Sequence, residues 1–278
     1  MLQTNRKFDK KFMSLEEIIG FVSALFIGLV LGLMGGGGSI LAVPVLAYLF
    51  DFDEKVATAY SLFIVGSTSL VGGIKQAINK MVDWRAVFIF GIPAVVGVSI
   101  VRLFVVPNLP ENLFKIGDFM VTRRMGMFGL FSVLMLFAAI SILSNRQGPL
   151  RKQKSKFHPL LLSEGFFIGS LTGLVGAGGG FLIVPALMVI AQLEIKRAAA
   201  TSLFIIATNS LIGFFIGDVM HLEIDWLFLL EFVSISMIGI LIGTYLAKKV
   251  STPKMKRMFA FFIIAMAIFI FIEEFILN

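Results

Sequence analysis

The sequence predicts an all-α, polytopic helical membrane protein built from two inverted homologous repeats. Three observations carry that expectation. First, the chain of 278 residues is 58% hydrophobic and 15% charged, with a mean hydropathy of +0.97 and 30 Phe. A soluble protein of this length could not cover so apolar a composition. Second, apolar stretches of spanning length recur from end to end, where a β-barrel would show short alternating segments. Third, residues 28–44 (GLVLGLMGGGGSILAVP) return at 169–185 (GSLTGLVGAGGGFLIVP) with nine of 17 positions identical.

The repeat extends past the glycines. Residues 55–72 align with 196–213, ten of 18 positions being identical. Asp83 and Trp84 match Asp225 and Trp226, and Gly97 matches Gly239. The chain therefore divides into a first transmembrane repeat over 1–144, a basic linker over 145–158 (NRQGPLRKQKSKFH) and a second repeat over 159–278. The first apolar segment lacks an A-x-A-like cleavage site and returns later as mature sequence, so it does not read as a cleavable signal peptide.

Each half opens on an oversized apolar segment. The first runs for 33 residues between Glu17 and Asp51, and the second for 29 between Glu164 and Glu194. One span needs about 20 residues, and the glycines fall at the segment centres. The expectation is two short helices per segment, hinged at glycine and re-entrant. Three spanning helices follow in each half, over 56–78, 84–106 and 124–144, and then over 197–220, 226–248 and 256–277.

Loop charge sets the topology. If each broken segment turns back, each half crosses three times and the second half is inverted. One face then collects 79–85, 145–158, 192–197 and 248–257, with 14 Lys and Arg. The other collects the N-terminal tail, 51–55, 107–124, 218–225 and the C-terminus, with eight. Parallel halves would split them 11 to 11. Positive-inside bias favours inversion, with the first face cytoplasmic. The basic tail (Arg6, Lys7, Lys10, Lys11) runs against it.

The motifs carry a resemblance. The paired G-L-x-G-x-G-G sentences ending in V-P, T-S-L at 201–203 (Y-S-L at 60–62), the D-W pairs and G-x-x-x-G-x-x-x-A at 239–247 resemble the TauE/SafE family of sulfite and sulfonate exporters. The likeness covers about residues 15–275. It implies a transporter in the cell (inner) membrane that exports small sulfur-containing anions such as sulfite, sulfonates, sulfoacetate or thiosulfate. The first half departs from the pattern at Tyr60, over 74–80 and in its longer loop at 107–123.

The residues themselves suggest a site. Gly35, Gly36, Gly37 and Gly38, with Gly176, Gly178, Gly179 and Gly180, permit positive φ and close backbone approach. The helix after each break offers unsatisfied N–H groups and the positive end of its dipole. Two such N-termini near mid-membrane would cradle an anion in an alternating-access carrier, and Ser39 would add a hydroxyl donor or an N-cap. Tyr60, Ser61, Ser67, Thr68 and Ser69 match Thr201, Ser202, Thr208, Asn209 and Ser210. Of these, Ser61, Thr68, Thr201, Ser202 and Asn209 are candidate substrate donors, though interhelical hydrogen bonding explains such residues equally well. Gly28, Gly32, Gly169 and Gly173 read as packing positions. Lys75, Arg102, Glu164 and Glu231 lie near helix ends, where snorkelling is expected.

Other functions fit less well. The chain has no Cys, and its two His fall in the linker and a loop, away from the glycine breaks. That pattern offers no catalytic group, no metal site and no cofactor, and it disfavours an intramembrane hydrolase. The formal charge of +7 is explained by cytoplasmic loops without nucleic acid. A carrier or channel for another small anion or carboxylate is the alternative. The partners expected are the substrate anion and the lipid bilayer; proton or ion coupling and a homo-oligomer are compatible with the pattern.

Overall fold

The computed structural model describes residues 15–116, 119–144, 160–176 and 179–277. The linker 145–158, Gly178, His158 and the basic N-terminal tail lie outside them. In the first half, α1 (Leu15–Met34) meets α2 (Gly37–Pro44), which runs into a π-helical turn (Val45–Leu49). Then come α3 (Glu54–Ile78) and α4 (Trp84–Ile100), the latter extended by a π-helical turn (Val101–Val105). A ribbon of β1 (Asn112–Ile116) and β2 (Phe119–Thr122) leads into α5 (Arg123–Ser144). In the second half, α6 (Leu160–Val175) and α7 (Gly180–Val189) precede α8 (Ile195–Gly213), with its π-helical turn (Phe214–Asp218). α9 (Trp226–Lys249) and α10 (Thr252–Ile272) close the chain.

Among the described residues, six helices are long and apolar enough to cross a membrane, and their starts fall within about four residues of the expected spans. The longer loop at 107–123 carries the β ribbon. Helix starts are chemically marked. Asp53 accepts the N–H of Lys55, Asp83 that of Ala86 and Asp225 that of Phe228, each at 2.9–3.1 Å. Trp84 and Trp226 follow two of these caps and stay half exposed, as interfacial anchors do.

α3 and α8 form the centre. Their spanning windows are 78% and 67% buried, against 33% for α10. Outward-facing Phe88, Ile92 and Phe104 of the α4 span, Phe137 of α5 and Phe261 of α10 remain exposed, as a lipid-facing surface requires. Small residues let the outer pairs close. A Cβ on Gly28 would collide with the Ser236 backbone, and one on Gly243 would lie 3.0 Å from Gly32 Cα. Gly169 is pressed in the same way against Ala94. The packing expected of Gly28, Gly32, Gly169 and Gly173 is therefore what holds α1 to α9 and α6 to α4. The second pairing repeats the first with the halves exchanged.

Gly66 packs on Leu211 and Gly72 on Leu203, so position numbers rise along α3 as they fall along α8. These equivalent helices are antiparallel. The first broken segment folds back on itself. Gly20 abuts the ring of Phe50, and Gly38 lies against Ile27 and Leu31.

The loops gather into two clusters. In one, Lys248 Nζ donates to Asn79 Oδ1 (3.3 Å) and Thr252 Oγ1 to Glu194 (2.9 Å). In the other, Arg123 pairs with Glu54 (2.6 Å), Arg124 with Glu274 (3.2 Å), and Tyr60 Oη accepts the Asp225 N–H (2.8 Å). These contacts join the 79–85, 192–197 and 248–257 loops on one side and the 51–55 and 107–124 loops with the C-terminal π-helical turn on the other.

Candidate functional site

The glycine breaks are matched. Gly35 takes φ +72° and Gly176 φ +75°, a region where only glycine is unstrained. Their N–H groups close α1 and α6 onto Leu31 O (2.8 Å) and Thr172 O (2.9 Å). After each break a new helix starts, behind Gly36 for α2 and Gly179 for α7. Neither start is capped by a side chain, so first-turn N–H groups are left to other partners. Ser39 does not act as a cap; its hydroxyl donates to Gly36 O at 2.7 Å.

The two helix starts meet backbone to backbone. A Cβ on Gly180 would lie 2.5 Å from Gly36 Cα, and one on Gly36 would lie 2.8 Å from Gly180 Cα. The space expected between the breaks is thus shut at this point. Gly37 and Gly38 turn the other way. Gly37 faces Val30, Met34 and Phe259, and Gly38 faces α1.

The surroundings of the two breaks differ. Gly35 lies against Ala199, and Ser202 Oγ lies 2.9 Å from both Gly35 O and Ala199 O. Gly176 lies against Thr58, the repeat equivalent of Ala199, and against Arg102, whose Nη2 would be 2.6 Å from a Cβ. Arg102 does not snorkel. It is 0% exposed, wedged between Gly176 and Gly217. Its Nη1 donates to Asp218 Oδ1 at 3.0 Å and reaches Thr58 Oγ1 at 3.4 Å. Arg102 Nε, Arg102 Nη2 and Asp218 Oδ2 are buried with no hydrogen-bond partner among the described residues. Both residues sit on π-helical turns, irregularities that often mark functional positions.

The polar stripe is buried and largely unpaired. Ser61 Oγ, Thr68 Oγ1, Ser69 Oγ, Ser210 Oγ and both polar atoms of the Asn209 amide lack a partner among the described residues. The register of the central pair puts Thr68 level with about 208–209. Thr201 also holds a helix start, because its oxygen accepts the Asp83 N–H at 3.0 Å. Tyr60, its equivalent, does the same for Asp225 across the pseudosymmetry. Among the other charges in apolar runs, Lys75 reaches the Leu241 carbonyl (2.9 Å), and Glu231 is exposed.

A cavity of about 360 Å³ reaches the first break. Gly32 and Gly35 form its inner end, Gln76 and Asn79 line its wall, and Lys196 and Lys248 supply its charge. The sequence suggested only an orienting role for Lys248. Its place here was hidden because Lys196 and Lys248 come from separate loops. Arg102 and Asp218 were hidden in a similar way, since they lie 116 residues apart. One signal was present: Arg102 stands where the second repeat has Thr244.

Comparison with known proteins identifies a family and a class of relatives. The family model described as "Sulfite exporter TauE/SafE" matches residues 20–270. A "Probable membrane transporter protein" of Xylella fastidiosa is 29% identical over 266 residues, covering 93% of this chain and 96% of its own. "Probable membrane transporter protein YunE" of Bacillus subtilis is 30% identical over 259 residues, covering 84% of this chain and 91% of its own. No solved structure matches. The chain is a multi-pass membrane transporter, and it belongs to the sulfite exporter TauE/SafE family.

Proposed function

We propose that this transporter exports small sulfur-containing anions, such as sulfite, sulfonates, sulfoacetate or thiosulfate, by alternating access around the two glycine breaks. The observation that carries the reading is the basic cavity. It leads from Lys196 and Lys248 to the Gly32 and Gly35 backbone, while the second break is covered by Thr58 and Arg102. A path open to one break and closed at the other fits a carrier better than a pore. An anion would be drawn in by the lysines and held by uncapped helix starts.

The substrate site comprises the backbone at Gly35, Gly36, Gly37, Gly38, Gly176, Gly178, Gly179 and Gly180, together with Ser39, Ser61, Thr68, Thr201, Ser202 and Asn209. The unpaired Ser61 and Thr68 hydroxyls and the Asn209 amide support their part in it, because buried polar groups are normally paired. Parting of Gly36 from Gly180 admits the anion. The repeats are inverted in the cell (inner) membrane, with the 79–85, 192–197 and 248–257 loops cytoplasmic. The antiparallel central helices, the folded-back first segment and the two loop clusters support the inversion; the excess of Lys and Arg in the first set of loops supports the sidedness.

The test is efflux from proteoliposomes loaded with sulfite, methanesulfonate, thiosulfate or acetate. Faster efflux than from protein-free vesicles, saturating with sulfite or methanesulfonate, is the expected result. Equal leakage of every anion would overturn the reading.

A further inference from the structure

We propose that Arg102 is the side chain that grips the substrate at the second glycine break, through a guanidinium edge that has no hydrogen-bond partner among the described residues and suits an oxyanion. The inference rests on the anion-transport reading above and deepens it.

Nε–H and one N–H of Nη2 point the same way from a guanidinium and together form a fork for two oxygens of one group. In Arg102 these are the two nitrogens without a partner among the described residues. Asp218 and Thr58 occupy only Nη1, on the other side. A buried ion pair that served structure alone would satisfy its remaining donors and acceptors, because each unpaired buried group is costly. Here three polar atoms of one pair, Arg102 Nε, Arg102 Nη2 and Asp218 Oδ2, are left over. Small residues shape the place. Gly176 and Gly217 flank the side chain, and a Cβ on Gly176 would run into Nη2.

The chemical class follows from the fork. Sulfite, sulfonates and carboxylates present two oxygens on one centre and match it; chloride offers a single atom and does not. Asp218 competes with the bound oxyanion for the same positive charge. Substrate arrival therefore weakens the Arg102–Asp218 pair, and with it the contact between the π-helical turns of the α4 and α8 spans.

Purified full-length protein, titrated with sodium methanesulfonate or sodium sulfite against sodium chloride in isothermal calorimetry, tests this. Wild type should bind both oxyanions, and chloride more weakly. Arg102→Lys keeps a positive charge but loses the fork, and should weaken methanesulfonate binding by roughly 10- to 100-fold. Removing Arg102 alone leaves a buried carboxylate unpaired, so the second variant is the doubly neutral Arg102→Gln with Asp218→Asn. It should lose oxyanion binding while its thermal unfolding without ligand stays close to wild type. Asp218→Asn alone should bind oxyanion more tightly, since the competitor is gone. Methanesulfonate binding within twofold of wild type in either Arg102 variant overturns the inference, as does wild type that binds chloride as well as it binds methanesulfonate. If wild type exports sulfite while Arg102→Lys binds normally, this inference alone fails; if wild type exports no oxyanion, the reading beneath it fails.

Discussion

Gly36→Ala tests whether contact between the two breaks belongs to the transport cycle. Gly36 has φ −156° and ψ −13°, outside the left-handed region, so the main effect of a methyl group is the close contact it makes. That methyl carbon would lie 2.8 Å from Gly180 Cα and closer still to the Gly180 carbonyl. Carbon atoms pack at about 3.5–4.0 Å, so the breaks must part by roughly 1 Å. Overpacking of this kind costs about 1–3 kcal/mol, and it falls only on the conformation in which the breaks touch. That conformation should lose population by roughly 5- to 150-fold relative to any in which they stand apart. Sulfite efflux from proteoliposomes should therefore drop by about fivefold or more, while the protein elutes as wild type in gel filtration. Gly91→Ala is the control. Its Cβ would meet only Ile205, at 3.7 and 4.0 Å, an ordinary contact that should leave efflux within about twofold. Wild-type efflux from Gly36→Ala would refute the reasoning, because the breaks would then never need to meet.

Lys196→Glu and Lys248→Glu should each slow anion efflux at low ionic strength, and the deficit should shrink in high salt as charge is screened; initial rates measured across a salt series check this. Cysteines can be placed freely because the chain has none. In intact cells an impermeant maleimide should label Glu223→Cys and spare Ser251→Cys, and the reverse pattern would contradict the proposed orientation. Tyr60→Phe removes the acceptor for the Asp225 N–H, and Asp225→Ala removes the α9 cap; each should cost about 1 kcal/mol in thermal unfolding. Because both act on the start of α9, the double variant should lose less than the sum of the two.

Much of the fold was legible because lipid imposes simple rules. Apolar length gave the six spans, since a helix must satisfy its own backbone to cross. Glycine runs gave the breaks, since lipid tolerates an interrupted helix only where its backbone is buried in protein or lines a cavity. Side-chain chemistry at the site was harder to see. A single arginine near a helix end, such as Arg102, looks like a snorkelling residue until its partner is known, and Asp218 is remote in sequence. The Lys196–Lys248 cavity was invisible for the same reason. The Tyr60–Asp225 and Thr201–Asp83 bonds were also unreadable, because each joins a side chain of one half to a backbone group of the other. The ribbon at 112–122 carries no strong strand signal beside so much helix.

The halves share one scaffold, yet they are not equivalent, and the difference has a direction. If the two repeats were identical, exchanging their conformations would turn an opening on one face into an opening on the other with no change in free energy. Here the exchange is unequal. At the first break Ala199 and Ser202 make one hydroxyl contact with the Gly35 carbonyl. At the second, Thr58, Arg102 and Asp218 join three elements across Gly176 and Gly217. The repeat equivalent of Arg102 is Thr244, which cannot form an ion pair. In the cycle proposed above, the Arg102–Asp218 contact would favour closure at the Arg102 face and opening at the Lys196 and Lys248 face. A substrate that takes the guanidinium from Asp218 removes part of that bias. On that proposal, binding energy acts on a contact that distinguishes the two faces among the described residues, and a loaded carrier would turn over more readily than an unloaded one.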